Sequence, residues 1–413
     1  MRPERYSTTH PVGNPSRKHR PDYGLFVIAS MLLAIGLIVM YAISPALAAQ
    51  GGDVSDNYFV IRQSIAIIIG FVAFYVFSKI PIEIWSKWYK ILIISAIILS
   101  LGTIITGGLA NRWIQLGAFS FQTVEYVKLV TVLVFSGYIA EVADRGMLAS
   151  KKNWQVLAII ALSIGLIVVL IQRDLGSAAV LFAMLLAMLF LAGFPLKYFI
   201  LIVASLAMFG LVATSYTEYR RDRVFTFLNP MQDCTNEGYH ACQALIAVGS
   251  GGLLGVGLGK SVQAYGYLPE AENDSIFAIY AEKFGFIGSL VLIGLFGSLL
   301  MRIFNIMQRA PNRTMQLITA GVFTWFLAQG AINIAAMLGL IPLKGITLPF
   351  ISYGGTSLIF SMAALGLVFQ VSKYTSMRRT TYEYKPAERG DGEDTNHWRR
   401  NGRPHYTVTR RSV

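Results

Sequence analysis

Carboxylates are rare among this chain's long apolar stretches, and Asp274 stands directly before one of them, a run rich in Ile, Phe and Leu. A carboxylate at the edge of hydrocarbon is expensive, and such residues mark ion pairs or sites of chemistry. It has two roles open to it that do not exclude each other. Its oxygens can cap the helix that follows, and it can serve in catalysis. Glu270, Glu272 and Glu282 belong to the same stretch, Tyr265 to Gly288. Glu282 lies well inside the apolar run and is expected to pair near Lys283 or with another helix.

Further polar residues gather at the ends of other apolar runs. Glu125 and Lys128 are three apart, so on a helix they share a face and can pair. Such a pair is either a structural ion pair between helices or part of an aqueous cavity. Arg220, Arg221 and Arg223 form a cluster whose guanidinium groups suit phosphate or pyrophosphate; snorkelling to the interface is the plainer alternative. Asp174 precedes Ser177 as a helix N-cap would. Arg112, Gln172, Arg173, Lys344 and Ser352 occupy comparable positions.

The elements that hold these residues are membrane helices. The chain has 413 residues, 54% of them hydrophobic and 14% charged, against about a quarter charged in soluble domains. Apolar runs recur from Phe26 to Val371, so the fold class is an all-α polytopic membrane protein. The net charge of +13 does not point to nucleic acid, because the basic residues crowd the two ends and short loops, as in positive-inside orientation. No cleavable signal peptide is expected, since the first run is too long for one.

Ten spans satisfy the charge pattern with both termini cytoplasmic: about 24–46, 59–78, 89–107, 124–142, 153–171, 177–192, 198–215, 275–300, 315–337 and 356–371. Residues 1–23 form a basic tail, 24–372 the membrane domain, and 373–413 a second tail; both tails read as disordered. One long loop, 216–273, falls on the outer side. Its glycine-laden run from Gly249 to Gly259 reads as short interfacial or re-entrant pieces, preceded by a helix over 238–248, rather than a span. The chain's two cysteines, Cys234 and Cys242, both lie in this loop. A disulfide and two unpaired structural cysteines are both compatible with it.

Three stretches carry a family resemblance: Arg112-Trp-Ile through Phe121 to Glu125 and Lys128; GSGGLLGVGLGKS from Gly249, running on to GYLPEAENDSIFAIYAEKFG from Gly266; and Gln329 and Asn333 followed by IPLKGITLPFISYGGTS from Ile341. With them the chain resembles, over about 24–372, the SEDS (shape, elongation, division and sporulation) family of membrane peptidoglycan glycosyltransferases, which includes FtsW and RodA. Lys344 to Thr347 is closer to the division-type form than to the elongation-type form. The chain departs from the family pattern at Asn273 and Ser275 beside Asp274, at Arg173, at Thr123 and Val124, and in its two cysteines. None of these removes a charged member of the site.

The resemblance implies a ten-span SEDS fold and lipid II as donor and acceptor. It implies Asp274 as the catalytic residue, and Glu125 and Lys128 as residues lining a central cavity. Arg112, Lys128, Arg220 and Arg221 are the candidates to neutralise the departing pyrophosphate, with Asp174, Lys344 and Ser352 as further substrate-binding residues. A divalent cation (Mg or Mn) is compatible with this chemistry, but no ligand spacing specifies one. The partners implied are a class B penicillin-binding transpeptidase and other membrane proteins of the division complex. Two other readings fit the same residues. A lipid II flippase or transporter would also need intramembrane charges and glycines, and a non-catalytic division scaffold would need neither Asp274 nor a cavity.

Overall fold

The computed structural model describes residues 16–50, 55–105, 113–116, 119–148 and 150, single positions 153, 155, 165, 168, 169 and 172, then 174–215, 234–235, 238–342 and 345–376. The helices are α1 (Tyr23–Gln50), α2 (Tyr58–Lys79), α3 (Ile82–Lys87), α4 (Tyr89–Ile105), α5 (Thr123–Asp144), α6 (Leu175–Leu191), α7 (Leu196–Ser215), α8 (Tyr239–Ser250), α9 (Ile276–Arg309), α10 (Arg313–Met337) and α11 (Gly355–Val371). Of these, α1, α2, α5, α9 and α10 are long and apolar enough to cross a membrane, while α4, α6, α7 and α11 are shorter apolar helices. The expected span over 153–171 falls almost wholly outside the described residues. Its described members Val168 and Val169 are buried with Ala178 and Leu181 of α6, as the tight connection through Gln172 requires.

The helices turn apolar residues outward. On α2, Ile61, Ile65, Ile68, Val72 and Tyr75 recur at helical spacing and are exposed, whereas Gln63 and Ser78 are buried. This inverts the pattern of a soluble helix and suits a hydrocarbon surround, where polar groups need partners inside the protein. α10 lies at the centre of the helix set, packed against α5, α6, α9 and α11, while α2 packs along α11.

Two short ribbons were not foreseen. β2 (Trp113–Leu116) pairs with β3 (Phe119–Gln122) in a hairpin that leads into α5. β1 (Ser16–Lys18) pairs antiparallel with β4 (Tyr374–Ser376), so the two tails expected to be disordered are joined where they meet the helices. Residues 1–15 and 377–413 lie outside those described.

α9 is the element that positions Asp274, and it is broken. Gly285 sits inside it at φ 66 and ψ −164, a conformation essentially restricted to glycine. The helix's own hydrogen bonds fail there, and the glycine-rich loop replaces them. Phe286 N–H donates to Gly252 O at 2.9 Å and Ile287 N–H to Leu253 O at 3.1 Å, while Val256 and Gly257 N–H donate to Glu282 O and Lys283 O, each at 3.0 Å. A side chain at Gly285 would collide with Gly255 N and Leu253 O, and one at Gly255 with Lys283 O. The run is thus docked backbone to backbone on α9, and the helix before it, α8, is present as expected. Gly285→Ala is expected to destabilise the protein by at least about 1–3 kcal/mol, read as a lowered melting temperature in detergent, whereas Gly294→Ala, with open space at its Cβ, leaves it near wild type.

Candidate functional site

Asp274 is 8% exposed and stands immediately before the N-cap of α9. The sequence puts it at the cap position; the structure puts Ser275 there, and the Ser275 side chain makes no cap hydrogen bond. Ser275 Oγ instead donates to Pro269 O at 2.9 Å and lies 2.7 Å from His240 Nε2 of α8. Glu270 closes the turn before Asp274: its backbone O accepts from Asn273 N–H and Ser275 N–H, at φ 50.

The main-chain oxygen of Asp274 is held from α10. Asn333 Nδ2 donates to Asp274 O and to Ile346 O, both at 2.7 Å, so one buried amide clamps the start of α9 to the loop before α11. One turn earlier, Gln329 Nε2 donates to Thr347 O at 2.9 Å, and Gln329 Oε1 accepts from Lys128 Nζ and from Trp325 Nε1, each at 2.7 Å. Lys128 also donates to Glu125 Oε1 at 2.8 Å and lies 4.9 Å above the Trp325 ring. Trp325, Gln329 and Asn333 are four apart and share one face of α10. Through them the Glu125–Lys128 pair and Asp274 are linked in one buried polar network.

Glu125 is 2% exposed and its Oε2 has no partner among the described residues. A buried carboxylate oxygen in that state is an acceptor suited to a ligand hydroxyl. Asp174 does cap α6, accepting from Ser177 N–H at 3.0 Å and Ser177 Oγ at 2.8 Å. Ser352 is taken up by its own loop, its Oγ accepting from Leu348 N–H at 2.7 Å. Arg112, Arg173, Arg220, Arg221, Arg223 and Lys344 lie outside the described residues.

Glu282 takes the first of the two surroundings expected for it, the neighbourhood of Lys283. It pairs with the loop, not with another helix: Ser261 Oγ donates to it at 2.5 Å and Val262 N–H at 2.9 Å, while Lys283 Nζ donates to Leu258 O at 2.8 Å. Consecutive residues of α9 thus fasten the loop that returns to Asp274. Cys234 and Cys242 form a disulfide, which resolves the open choice between paired and unpaired cysteines.

Arg62 of α2, not singled out from sequence, stands 4.5 Å from the Tyr58 ring centre and hydrogen-bonds Tyr353, whose N–H donates to Glu272 O at 2.8 Å. Burial raises the Tyr353 phenol above its ordinary value, and Arg62 opposes that rise. Burial likewise raises the Glu272 carboxyl, opposed by its own backbone hydrogen bond and reinforced by Glu270. Among the described residues no group of three or more His, Cys, Asp and Glu is placed to hold a metal ion.

Comparison with known proteins places this site in a family. Residues 23–377 match the FtsW, RodA and SpoVE cell cycle protein model. A probable peptidoglycan glycosyltransferase FtsW of Thioalkalivibrio sp. (strain K90mix) is 38% identical, covering 87% of this chain and 93% of the relative. The stage V sporulation protein E of Bacillus subtilis is 35% identical, covering 87% and 99%. A chain from a peptidoglycan synthase complex, solved in work on the coordination of polymerization and crosslinking, superposes with a TM-score of 0.71 at 26% identity, covering 85% of this chain and 97% of that one. The rod shape determining protein RodA of Thermus thermophilus has a TM-score of 0.63 at 24% identity, covering 85% and 96%, a likeness of fold.

Two outcomes follow from the network. Lys128→Met leaves Glu125 buried without its counter-charge and is expected to cost about 3–5 kcal/mol of stability; adding Glu125→Gln removes the stranded charge and recovers most of it, as thermal melts of the three proteins would read. Glu272 has a folded-state pKa raised above the ordinary 4.5, so its stabilising contribution is full below that value and is lost as pH rises through the folded-state pKa. Glu272→Gln is therefore expected to melt higher than wild type at neutral pH, with the difference vanishing as the buffer is taken below the ordinary value.

Proposed function

The chain belongs to the FtsW, RodA and SpoVE family of cell cycle proteins, and from that membership we propose that it is a peptidoglycan glycosyltransferase of the bacterial plasma membrane that polymerises lipid II. The 4-hydroxyl of the acceptor N-acetylglucosamine attacks C1 of the donor N-acetylmuramic acid. The new C1–O bond forms as the C1–O bond to phosphate breaks, the carbon inverts, and undecaprenyl pyrophosphate leaves with the electron pair. Asp274 takes the hydroxyl proton as general base.

The observation that carries this reading is the clamp on Asp274. Its backbone is fixed by Asn333, and its carboxylate stands nearly buried at the start of α9, which is what a positioned base requires. Glu125 Oε2 gives a sugar hydroxyl a buried acceptor, held in place by Lys128. Because Lys128 is already paired, Arg112, Arg220 and Arg221 become the leading candidates to meet the charge on the departing pyrophosphate, with Lys344 beside them. Asp174 and Ser352 support the site through α6 and the loop before α11. A bound divalent cation would add positive charge against the departing pyrophosphate, and no step here depends on one.

The charge pattern supports ten spans with both termini cytoplasmic. The solved peptidoglycan synthase complex supports a transpeptidase partner, of the penicillin-binding class, and the FtsW relatives support work at the division septum alongside other division proteins.

Polymerisation of purified lipid II, measured with and without the transpeptidase, tests the reading. Asp274→Ala is expected to lose about 10²–10⁴-fold in rate while keeping its wild-type melting temperature. Glycan chains made at the full rate by a folded variant would refute the base assignment. Movement of lipid II across vesicles with no polymer from wild type would mark a flippase, and neither activity a scaffold.

A further inference from the structure

A cavity of about 600 Å³ lies at the other end of the helix set. It is formed where the chain enters α1, where α2 gives way to α3, and where α11 ends. Asp22, at its margin, is paired with Arg302 Nη1 at 2.8 Å, and Arg302 lies in the part of α9 beyond the Gly285 break, roughly 25 Å of helix past it at about 1.5 Å per residue. The cavity is therefore separate from the site already described, and nothing in the proposed reaction uses it.

Its depth is marked by aromatic residues. Tyr23 and Tyr75, both on its wall, are 60% and 63% exposed on the apolar surface. Trp85 of α3 stacks on Phe77 at 4.6 Å, and Trp88 just beyond α3 is 55% exposed. Exposed Tyr and Trp at one level mark the boundary between acyl chains and headgroups. Polar groups of both kinds face the cavity. Lys79 Nζ stands 5.4 Å from the Tyr75 ring centre. Lys373 Nζ stands 5.6 Å from the Phe369 ring centre and donates to Ser78 O at 2.8 Å. Glu83 supplies a carboxylate. Gln370, only 6% exposed, donates through Nε2 to Ile80 O at 2.8 Å, and its Oε1 has no partner among the described residues.

We propose that this cavity binds the headgroup of a membrane phospholipid of the ethanolamine class. Its phosphate sits on Lys79 and Lys373, and its primary ammonium donates to Glu83 and, after a small shift of the amide, to Gln370 Oε1. Lysines between helices at the headgroup level suit lipid phosphate. The carboxylate and the unmatched amide oxygen are what single out a headgroup that also carries N–H donors. The volume is that of a small-ligand site. Both chain ends contribute walls, through His19 and Lys373, which are joined by His19 N–H donating to Lys373 O at 2.8 Å. A bound headgroup thus fastens the two ends of the membrane region together.

The protein reconstituted in nanodiscs of equal parts phosphatidylethanolamine, phosphatidylglycerol and phosphatidylcholine, then released for native mass spectrometry, gives the test. Wild type is expected to retain phosphatidylethanolamine about tenfold over phosphatidylcholine, whose nitrogen has no N–H to donate. Lys79→Glu loses the bound lipid, and Glu83→Gln loses the preference for ethanolamine while polymerisation is unchanged. Equal retention of the three lipids overturns the proposal, as does a preference for phosphatidylglycerol or a pattern unchanged by Glu83→Gln. Displacement of the lipid by soluble glycerophosphoethanolamine at low concentration would assign the site to a free ligand and overturn the lipid source. Should Lys79→Glu not fold, the Glu83→Gln pattern decides alone.

Discussion

Inside a bilayer every polar group must find its partner within the protein, and the break in α9 turns that constraint into a site. Gly285 interrupts the helix, and the glycine-rich loop supplies the missing backbone partners. Glu282 and Lys283 then tie down the following residues of the same loop. The chain can only return to α9 along one path, and Asp274 lies at the end of it. Glycine is needed twice, at Gly255 and Gly285, because backbone meets backbone with no room for Cβ. An intramembrane break, which in isolation would cost several unsatisfied groups, is here what fixes the approach to the carboxylate.

α10 performs the complementary task. Its Trp325, Gln329 and Asn333 present side-chain hydrogen-bonding groups on successive turns of one face, and each amide spans two elements. Gln329 joins the Glu125–Lys128 pair to the loop before α11; Asn333 joins that loop to α9. Buried ion pairs are weak sources of stability in themselves. Their value here is positional, since removing any member strands another in a low-dielectric interior.

Most of the membrane architecture was legible in the sequence. Long apolar runs bounded by Lys and Arg match the described helices to within a few residues at most ends, and α8 lies where a helix was expected in the long loop. The misses have physical causes. Asp274 and Ser275 are both good caps, and composition cannot say which residue takes the cap; the turn closed by Glu270 decides. For Glu282 the sequence leaves open the neighbourhood of Lys283 or another helix, because spacing along α9 says nothing of a loop folded back on it. The two ribbons join residues far apart or too few to show a strand pattern. The role of α10 was readable in principle: an indole and two amides at i, i+4 and i+8 in an apolar span form a polar stripe that must meet something. What it meets, two loop carbonyls and the main chain of Asp274, depends on tertiary structure.

The claim on which this account rests is that Asn333 holds residue 274 where its carboxylate can act. Single-turnover polymerisation at saturating lipid II by Asn333→Leu tests it most directly. The account predicts a rate about 100-fold below wild type, the cost of a displacement near 1 Å, with lipid II affinity close to wild type and a melting temperature lowered by the two carbonyls left unpaired. A single-turnover rate equal to wild type in that variant would contradict it.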